Sequence, residues 1–309
     1  MRRTPAIVIG IAALVLAAVV GFLLFPRPAA APASTPSAQP SDSAQPSASA
    51  ALDAELLDRR WTVLYVGTDA NERRDSDGEP VNTDALMLVS LSADQSELTL
   101  VSLPRDTVDV PLAGGETYER KINGLYREEG MEALVGAVEA LFEVPIDAHV
   151  LLDMDDFARL VEAVGGVEVS PAAPVVDPIV DLDLQAGPQH LGAAQALGYV
   201  RTRVDDDYAR MARHQEVLLD LVRRLADPET DLELRPLLDG LESLETDLPL
   251  EDLGTLLELA RRATEARVSE LVIAPPLITF EGDRGDGRGY VLEPDIEAIR
   301  DEVQGRIGG

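Results

Sequence analysis

Three apolar segments rich in β-branched residues lie between residues 61 and 103, and polar or irregular stretches separate them. The pattern predicts strands at residues 61–66, 85–91 and 98–103, because such runs bounded by Gly, Asp or Pro are typical of strands. The polar segment SADQSE connects the second run to the third. These two strands are therefore predicted to form an antiparallel hairpin.

The chain then alternates between helical and strand patterns. A helical pattern that ends near Phe142 is followed by the strand pattern DAHVLLDM, the helical pattern DDFARLVEAVGG and the strand pattern VEVS. Residues 208–225 are predicted to form a further helix, with Asp207 as its candidate cap. The stripe along that helix consists of Met211, Gln215, Leu218, Val222 and Leu225. Strands that alternate with helices indicate an α/β fold whose sheet is covered on both faces.

The N-terminus carries an uncharged apolar run from Ala6 to Phe25, preceded by Arg2 and Arg3. As a helix this run would be about 30 Å long, which matches the hydrocarbon core of a bilayer. The pattern predicts a cytoplasmic segment at residues 1–5 and a transmembrane signal anchor at 6–25. A cleaved signal peptide is the alternative, although its apolar region is usually only about 7–15 residues long.

Residues 26–52 are rich in Pro, Ala and Ser and show no apolar periodicity, so they are predicted to form a disordered stalk. The remaining residues, 53–309, would form a globular domain on the far side of the membrane. We therefore expect a single-pass protein of the bacterial cell membrane with an extracytoplasmic C-terminal domain.

Composition limits the possible ligands. The chain has 56 acidic and 26 basic residues, a formal charge of -30, which disfavours nucleic-acid binding. Any anionic ligand must be bound by a local basic cluster against this overall field. Cysteine is absent, which excludes disulfides, thiolate metal sites and a cysteine nucleophile. Lys121 is the only lysine, which makes it a candidate for a specific role.

The ends of the three predicted strands carry charged residues. Asp69 follows the first strand, Asp84 precedes the second, and Arg105 follows Pro104 at the end of the third. Hairpin geometry places Asp84 nearly opposite Arg105. If the first strand runs alongside the third in the same direction, Asp69 reaches the same edge. Two carboxylates there would suit Mg²⁺; the alternative is three solvated loop charges on an acidic protein.

A second basic cluster surrounds the start of the helix at 208–225. Arg201 and Arg203 come before it, and Arg210 and Arg213 occupy its first turns. Guanidinium groups beside a helix N-terminus form a suitable anion site, because that end already carries partial positive charge. The alternative is that these arginines form ordinary surface ion pairs with residues 205–207.

Taken together, the motifs resemble those of the LytR-CpsA-Psr family. In order they are VGTD, NTDALMLVSL, LTLVSLPRDT, KIN, PIDAHVLLDMDDFARLVEAVGGVEV, LQAGPQHLGAAQALGYVRTR and ARMARHQ. The resemblance covers a core at residues 61–225 and a closing strand and helix at 271–305. An acidic helical segment, 226–270, lies between them.

The resemblance implies a three-layer α/β/α sandwich with a mixed central sheet. It also implies transfer of an anionic glycopolymer from an undecaprenyl-pyrophosphate carrier to a muramic acid hydroxyl of peptidoglycan, with formation of a phosphodiester. A polyprenyl-pyrophosphate hydrolase and a non-catalytic wall-binding or regulatory module are the alternatives. A hydrolase would use the same residues, so the sequence alone does not separate it from a transferase.

Roles for individual residues follow from the resemblance. Asp69 and Asp84 correspond to aspartates linked to Mg²⁺ (or Mn²⁺). The implied pyrophosphate-binding residues are Arg105, Lys121, Arg201, Arg203, Arg210, Arg213 and Gln215. The expected catalytic residues are Arg105, Asp106, Arg201 and Arg203, and the general base stays open between Asp106 and residues 205–207.

Two positions depart from the family pattern. Asn82 stands where the family usually has an arginine, and Arg73 or Arg74 on the neighbouring loop is a candidate replacement. His214 replaces a common glutamine. We expect these changes to affect substrate range or rate more than the fold.

Overall fold

The computed structural model describes residues 53–70, 81–241, 244–249 and 253–308. The predicted anchor at 6–25, the predicted stalk and the two candidate replacement arginines, Arg73 and Arg74, lie outside these ranges. Within them, no helix is both long enough and apolar enough to cross a bilayer.

Strands and helices alternate along most of the described chain. The strands are β1 (Trp61–Thr68), β2 (Thr83–Leu91), β3 (Glu97–Leu103), β4 (Val110–Pro111), β5 (Thr117–Tyr118), β6 (Ala148–Leu152), β7 (Val167–Val169), β8 (Val175–Asp177), β9 (Leu182–Leu184), β10 (Gln189–Leu191), β11 (Glu245–Thr246), β12 (Arg267–Val272), β13 (Ile278–Asp283) and β14 (Tyr290–Pro294). The helices are α1 (Ala54–Leu57), α2 (Leu125–Glu129), α3 (Met131–Phe142), α4 (Met154–Ala163), α5 (Ala193–Arg201), α6 (Asp207–Ala226), α7 (Leu234–Leu241), α8 (Leu253–Glu265) and α9 (Ile296–Ile307). A 3₁₀ turn, Ile122–Gly124, precedes α2.

The central sheet has six strands in the order β11-β6-β1-β2-β3-β12. β2 is antiparallel to both β1 and β3, whereas β6 runs parallel to β1 and β12 runs parallel to β3. The predicted hairpin and the mixed sheet are confirmed. The first strand does run in the direction of the third, but it is not its neighbour, because β2 pairs with both and lies between them.

Both faces of the sheet are covered by helices, which gives three layers. Successive side chains of β1 point to opposite faces: Leu64 and Val66 pack in a core with α2, α3 and α9, and Trp61 and Tyr65 pack in a core with α4 to α8. Val66 is fully buried, and burial of such a side chain contributes about 1.5–3 kcal/mol. The apolar runs therefore form buried strands because each has a helical layer on both sides.

Helix α6 begins one residue earlier than the sequence pattern indicates. Asp206, rather than Asp207, caps it, because the Asp206 carboxylate accepts a hydrogen bond from the Ala209 N–H at 2.7 Å. Asp207 is the first helical residue, and its carboxylate is bound by Arg210. The segment before α6 contains the short strand β10 and the helix α5.

Candidate functional site

Charged side chains meet at the end of the sheet formed by the last residues of β1 and β3 and the first residues of β2. The register that pairs Leu86 with Leu103 places Asp84 opposite Arg105. Arg105 Nη1 donates to Asp84 Oδ1 at 2.5 Å, so the predicted pair forms. The register between β1 and β2 shifts at this point, where Asp84 is the extra residue of a bulge.

Asp69 reaches the same end of the sheet from β1. Its N–H donates to the Asn82 carbonyl at 3.1 Å, and its Oδ1 accepts from the Asn82 N–H at 2.7 Å. Asp69 is buried, and it lines the same cavity as Asp84 and Arg105. The two predicted metal-binding aspartates are therefore brought together on neighbouring strands.

The turn after β3 fixes Arg105 in place. The Thr107 N–H and hydroxyl both donate to the Pro104 carbonyl, at 3.2 and 2.7 Å. Burial lowers the pKa of Arg105, but the charges of Asp84 and Asp106 outweigh it, so the pKa is raised overall. The Arg105 Nε–H is buried, and in the described part of the chain it has no hydrogen-bond partner. A buried donor without an acceptor is unfavourable, and a phosphate oxygen would remove that penalty.

Lys121 lies beside Arg105 because its loop is bonded to the turn after β3. The Ile122 N–H donates to the Thr107 carbonyl at 2.9 Å, and the Asn123 N–H donates to the Arg105 carbonyl at 3.1 Å. Lys121 Nζ is 3.0 Å from Asp106 Oδ1, and Arg105 Nε is 3.8 Å from Asp106 Oδ2. Asp106 therefore lies between two cations.

The segment that joins α5 to α6 supplies two more guanidinium groups. Arg203 Nη2 is 4.0 Å from Asp84 Oδ2, and Arg201 is exposed at the same cavity. Burial, followed by the positive charge of Arg105, lowers the pKa of Arg203, and Arg210 adds to this effect. A cation held among like charges favours a nearby anion.

Arg210 is almost fully buried at the start of α6. Its Nε and Nη2 donate to Asp207 Oδ1 at 3.0 and 2.8 Å, and its Nη1 donates to the Asp84 carbonyl at 3.1 Å. It thereby ties α6 to the bulge in β2. Asp207 Oδ2 is buried, and among the described residues it has no partner.

The structure places Arg213 and Gln215 away from this cavity. Arg213 donates to the carbonyls of Tyr199 and Thr202, each at 2.9 Å, and forms a two-bond pair with the Asp205 carboxylate. The Gln215 amide donates to Ser102 Oγ at 2.8 Å and to the Leu271 carbonyl at 2.9 Å. These contacts hold α6 against α5 and the sheet, so neither residue enters the proposal below as a pyrophosphate ligand.

The resulting cavity, called here the charged cavity, encloses about 1740 Å³, part of it open to solvent. Its basic lining residues are Arg105, Lys121, Arg201, Arg203 and Arg210, and its acidic ones are Asp69, Asp84, Asp106, Asp153 and Asp177. Of the four carboxylates considered as a general base, Asp106 is the one that lines it. A wall of Leu152, Phe157, Val180 and Leu197 makes the other side apolar.

A second space, the apolar cavity, lies between the sheet and the helices α6 and α8. Its volume is about 970 Å³, part of it open to solvent, and its lining is hydrocarbon from residues such as Trp61, Leu100, Leu218 and Leu259. Tyr65 of β1 lines both cavities, and among the described residues no other side chain does so. The two cavities are therefore next to each other, with Tyr65 between them.

The aspartates at the charged cavity fit a divalent cation only in part. The described residues contain no group of three or more His, Cys, Asp or Glu side chains arranged to hold a metal. Asp69 and Asp84 do line one cavity, and Mg²⁺ is commonly held by one or two carboxylates together with water and phosphate oxygens. The pair therefore fits a cation whose remaining ligands come from the substrate.

Three residues at the site were missed or left without a role by the sequence. Tyr65 looks like one more apolar strand residue, so only the tertiary structure shows its position between the cavities. Arg127 of α2 donates to the Asn82 side chain, which brings a guanidinium group to the position where the sequence lacks one. His214, noted only as a departure from a pattern, lines the charged cavity.

Comparison with known proteins supports a common architecture. The model of the LytR_cpsA_psr family matches residues 30–301. The chain is 26% identical over 257 residues to the polyisoprenyl-teichoic acid–peptidoglycan teichoic acid transferase TagV of Bacillus subtilis, a match that covers 79% of this chain. It is 28% identical over 252 residues to the transferase of the same description, TagU, of Halalkalibacterium halodurans, covering 80% of this chain and 78% of that protein.

The structural comparison agrees with these matches. The crystal structure of B. subtilis TagV superposes with a TM-score of 0.63 at 25% identity, and the superposition covers 81% of this chain and 98% of that one. In sequence, the matched segment spans 64% of the length of TagV, less than two thirds of that protein.

Proposed function

The chain belongs to the LytR_cpsA_psr family, and from that membership we propose that it is a phosphotransferase of the cell wall. Its donor is an anionic glycopolymer carried on undecaprenyl pyrophosphate, and its acceptor is a hydroxyl of peptidoglycan. The names of the TagV and TagU relatives, which are teichoic acid transferases acting on peptidoglycan, support this class of reaction.

The observation that carries the proposal is that the charged and apolar cavities lie next to each other, with Tyr65 in the lining of both. A polyprenyl pyrophosphate has the same division, with an anionic diphosphate at one end of a long hydrocarbon. In the apolar cavity that hydrocarbon stays out of contact with water, which avoids a cost of about 25 cal/mol per Å² of apolar surface. The diphosphate would then lie beside Arg105, Arg203 and Arg210.

The arginines would hold the diphosphate in position and stabilise its negative charge during the reaction. The acceptor hydroxyl attacks the phosphorus that bears the glycopolymer, a new P–O bond forms, and the bridging P–O bond of the pyrophosphate breaks. Undecaprenyl phosphate leaves, and the hydroxyl proton passes to a base, for which Asp106 is placed at the cavity. The guanidinium groups of Arg105 and Arg203 stabilise the negative charge that develops on the leaving phosphate.

Mg²⁺ (or Mn²⁺) held by Asp69 and Asp84 would supply further positive charge to the phosphate oxygens. Removal of divalent ions by EDTA is then expected to abolish transfer, and added Mg²⁺ is expected to restore it.

The location of the enzyme forms part of the proposal. A donor that resides in the bilayer must be reached from the membrane surface. We infer that residues 6–25 anchor the chain in the cell membrane and that the described domain works on the extracytoplasmic side, where peptidoglycan is found.

The direct test is transfer of labelled lipid-linked glycopolymer to peptidoglycan by the full-length protein in detergent. The wild type should produce label covalently attached to peptidoglycan. Arg105→Ala should lower the rate at least about 100-fold, the scale seen when a charge-stabilising donor is removed. Arg235→Ala is the matched control, because that side chain is 93% exposed and lines neither cavity.

Two results would contradict the proposal. Release of free phosphorylated glycan with none attached would indicate a hydrolase instead. Equal transfer rates for Arg105→Ala and Arg235→Ala would show that the charged cavity takes no part in the reaction.

A further inference from the structure

His214 lines the charged cavity and takes no part in the chemistry described above. It lies on α6 one turn after Arg210, so both side chains are on the same side of the helix. The imidazole is half-buried, and its Nε2 is 2.6 Å from the Val200 carbonyl. Because a carbonyl oxygen only accepts, Nε2 carries the proton and Nδ1 carries the lone pair.

The Nδ1 atom is available to a ligand. In the described part of the chain it has no hydrogen-bond partner, and it is not among the polar atoms sealed in the interior. Burial, followed by the positive charge of Arg210, lowers the pKa of His214 to about 4. The ring is therefore neutral at pH 7, and the Nδ1 lone pair is free.

The Nδ1 lone pair is a neutral acceptor beside the cations of this cavity. Arginine and lysine side chains only donate hydrogen bonds. Asp84 is bonded to Arg105 and Asp106 is paired with Lys121. The other three carboxylates, of Asp69, Asp153 and Asp177, accept hydrogen bonds from the N–H groups of Asn82, Asp156 and Ile179. A diphosphate offers only acceptors and so matches the cations. A hydroxyl group offers a proton, and it matches a neutral acceptor that has no hydrogen-bond partner in the described part of the chain.

We propose that His214 Nδ1 accepts a hydrogen bond from a non-reacting hydroxyl of the acceptor glycan and thereby directs the attacking hydroxyl toward the diphosphate and Asp106. This assignment rests on the transferase function proposed above. It gives the charged cavity two separate parts, one of cations for phosphate and one neutral acceptor for the sugar.

Steady-state kinetics of the full-length protein test the assignment. His214→Leu removes the acceptor, whereas His214→Gln keeps an amide donor for the Val200 carbonyl and an oxygen acceptor for the hydroxyl. We expect His214→Leu to lower kcat/KM for peptidoglycan about 10-fold, the loss of one hydrogen bond in a cavity, with the donor KM unchanged. His214→Gln should recover most of that loss.

The control is His190→Leu, which removes an exposed histidine that is paired with Glu168 and does not line the cavity. It should leave both kinetic parameters unchanged. If the wild type transfers glycopolymer and His214→Leu keeps its kcat/KM within twofold, the assignment is wrong. A rise in the donor KM alone would also overturn it, because the hydroxyl bound would then belong to the donor.

A measurement on the wild type keeps the test independent of folding and of turnover. In ¹⁵N-histidine-labelled protein, a soluble peptidoglycan fragment containing N-acetylmuramic acid should shift the Nδ1 resonance of His214 and leave Nε2 bonded to Val200. No shift at saturating fragment would contradict the assignment. Absence of transfer with a clear Nδ1 shift would instead count against the transferase proposal alone.

Discussion

Two groups at the charged cavity have pKa values displaced by their surroundings. Burial and the neighbouring arginines lower the pKa of Arg203, which stays charged and favours an anion. Burial and Arg210 lower the pKa of His214, which becomes neutral and favours a hydroxyl proton. Both side chains line the charged cavity, and in the proposed reaction they bind two different parts of the substrate pair.

The lowered pKa of His214 predicts a pH dependence of stability. The folded pKa is about 4 and the ordinary value is 6.5. Between these pH values the unfolded chain binds a proton that the folded chain does not, so the free energy of unfolding falls as pH drops from 6.5 to 4. Below pH 4 both states are protonated and the effect levels off.

The comparison is with His214→Gln, which cannot titrate. Urea denaturation at several pH values should show that the unfolding free energy of the wild type, minus that of the variant, increases by up to about 3 kcal/mol from pH 4 to 6.5. Parallel pH profiles would mean that burial and the charge of Arg210 do not hold the His214 ring neutral.

Sequence reasoning at the residue scale worked where local geometry decides the outcome. The position of Asp84 opposite Arg105 follows from counting around one hairpin turn, and the register confirms it. It did not predict which of Arg210 and Arg213 lines the charged cavity, since both lie near the start of one helix. Arg210 turns toward the cavity, whereas Arg213 turns toward the end of α5. The rotation of α6 about its axis is set by packing, which the sequence does not show.

At the scale of elements, the junction between α5 and α6 depends on one side chain. Arg213 is buried and satisfies the carbonyls of Tyr199 and Thr202 while pairing with Asp205. The segment it holds includes Arg201 and Arg203. Arg213 therefore supports the charged cavity without lining it.

Arg213→Ala should destabilise the protein by about 3 kcal/mol, because two carbonyls lose their donor and a carboxylate loses its partner. The check is the midpoint of urea denaturation. Arg223→Ala, at an exposed position of the same helix, is the control and should change the free energy of unfolding by less than about 0.5 kcal/mol. Equal effects of the two substitutions would show that Arg213 does not stabilise the junction between α5 and α6.

Element order was only partly predictable. Alternating patterns were enough to predict the α/β class and the β2–β3 hairpin, because each depends on nearby residues. The position of β2 between β1 and β3, and the pairing of β12 with β3, depend on contacts between distant segments. Arg127 reaches Asn82 for the same reason, across 45 positions of sequence.

At the scale of the whole molecule, the apolar cavity is formed by the sheet together with α6 and α8. These elements lie far apart in sequence, and each apolar side chain looks like ordinary core. No local sequence pattern therefore distinguishes the wall of an apolar cavity from a packed interior. The composition is informative only about the charged cavity. Because the chain is strongly acidic, an anionic ligand requires a local cluster of basic side chains.

Filling the apolar cavity should show whether this cavity binds the hydrocarbon tail of the donor. Ala260 is buried on α8 and lines that cavity, so Ala260→Trp would occupy space proposed for hydrocarbon. We expect kcat/KM for an undecaprenyl donor to fall about 10-fold or more, as the displaced tail loses apolar contact, and a donor with a ten-carbon chain to be little affected.

Ala172→Trp, on an exposed loop, is the control for a large aromatic substitution. Thermal unfolding of both variants should be measured, since overpacking alone commonly costs about 1–3 kcal/mol. An equal loss of kcat/KM with long-chain and short-chain donors would show that the prenyl tail of the donor binds outside the apolar cavity.

The account depends most on one arrangement, in which a diphosphate among the arginines continues past Tyr65 into the apolar cavity. A crystal structure of the protein with undecaprenyl pyrophosphate measures it directly. We predict a phosphate oxygen within hydrogen-bond distance of Arg105 Nε and the prenyl chain between Tyr65 and Leu218. A diphosphate bound away from Arg105, or a chain lying outside the apolar cavity, would contradict the account.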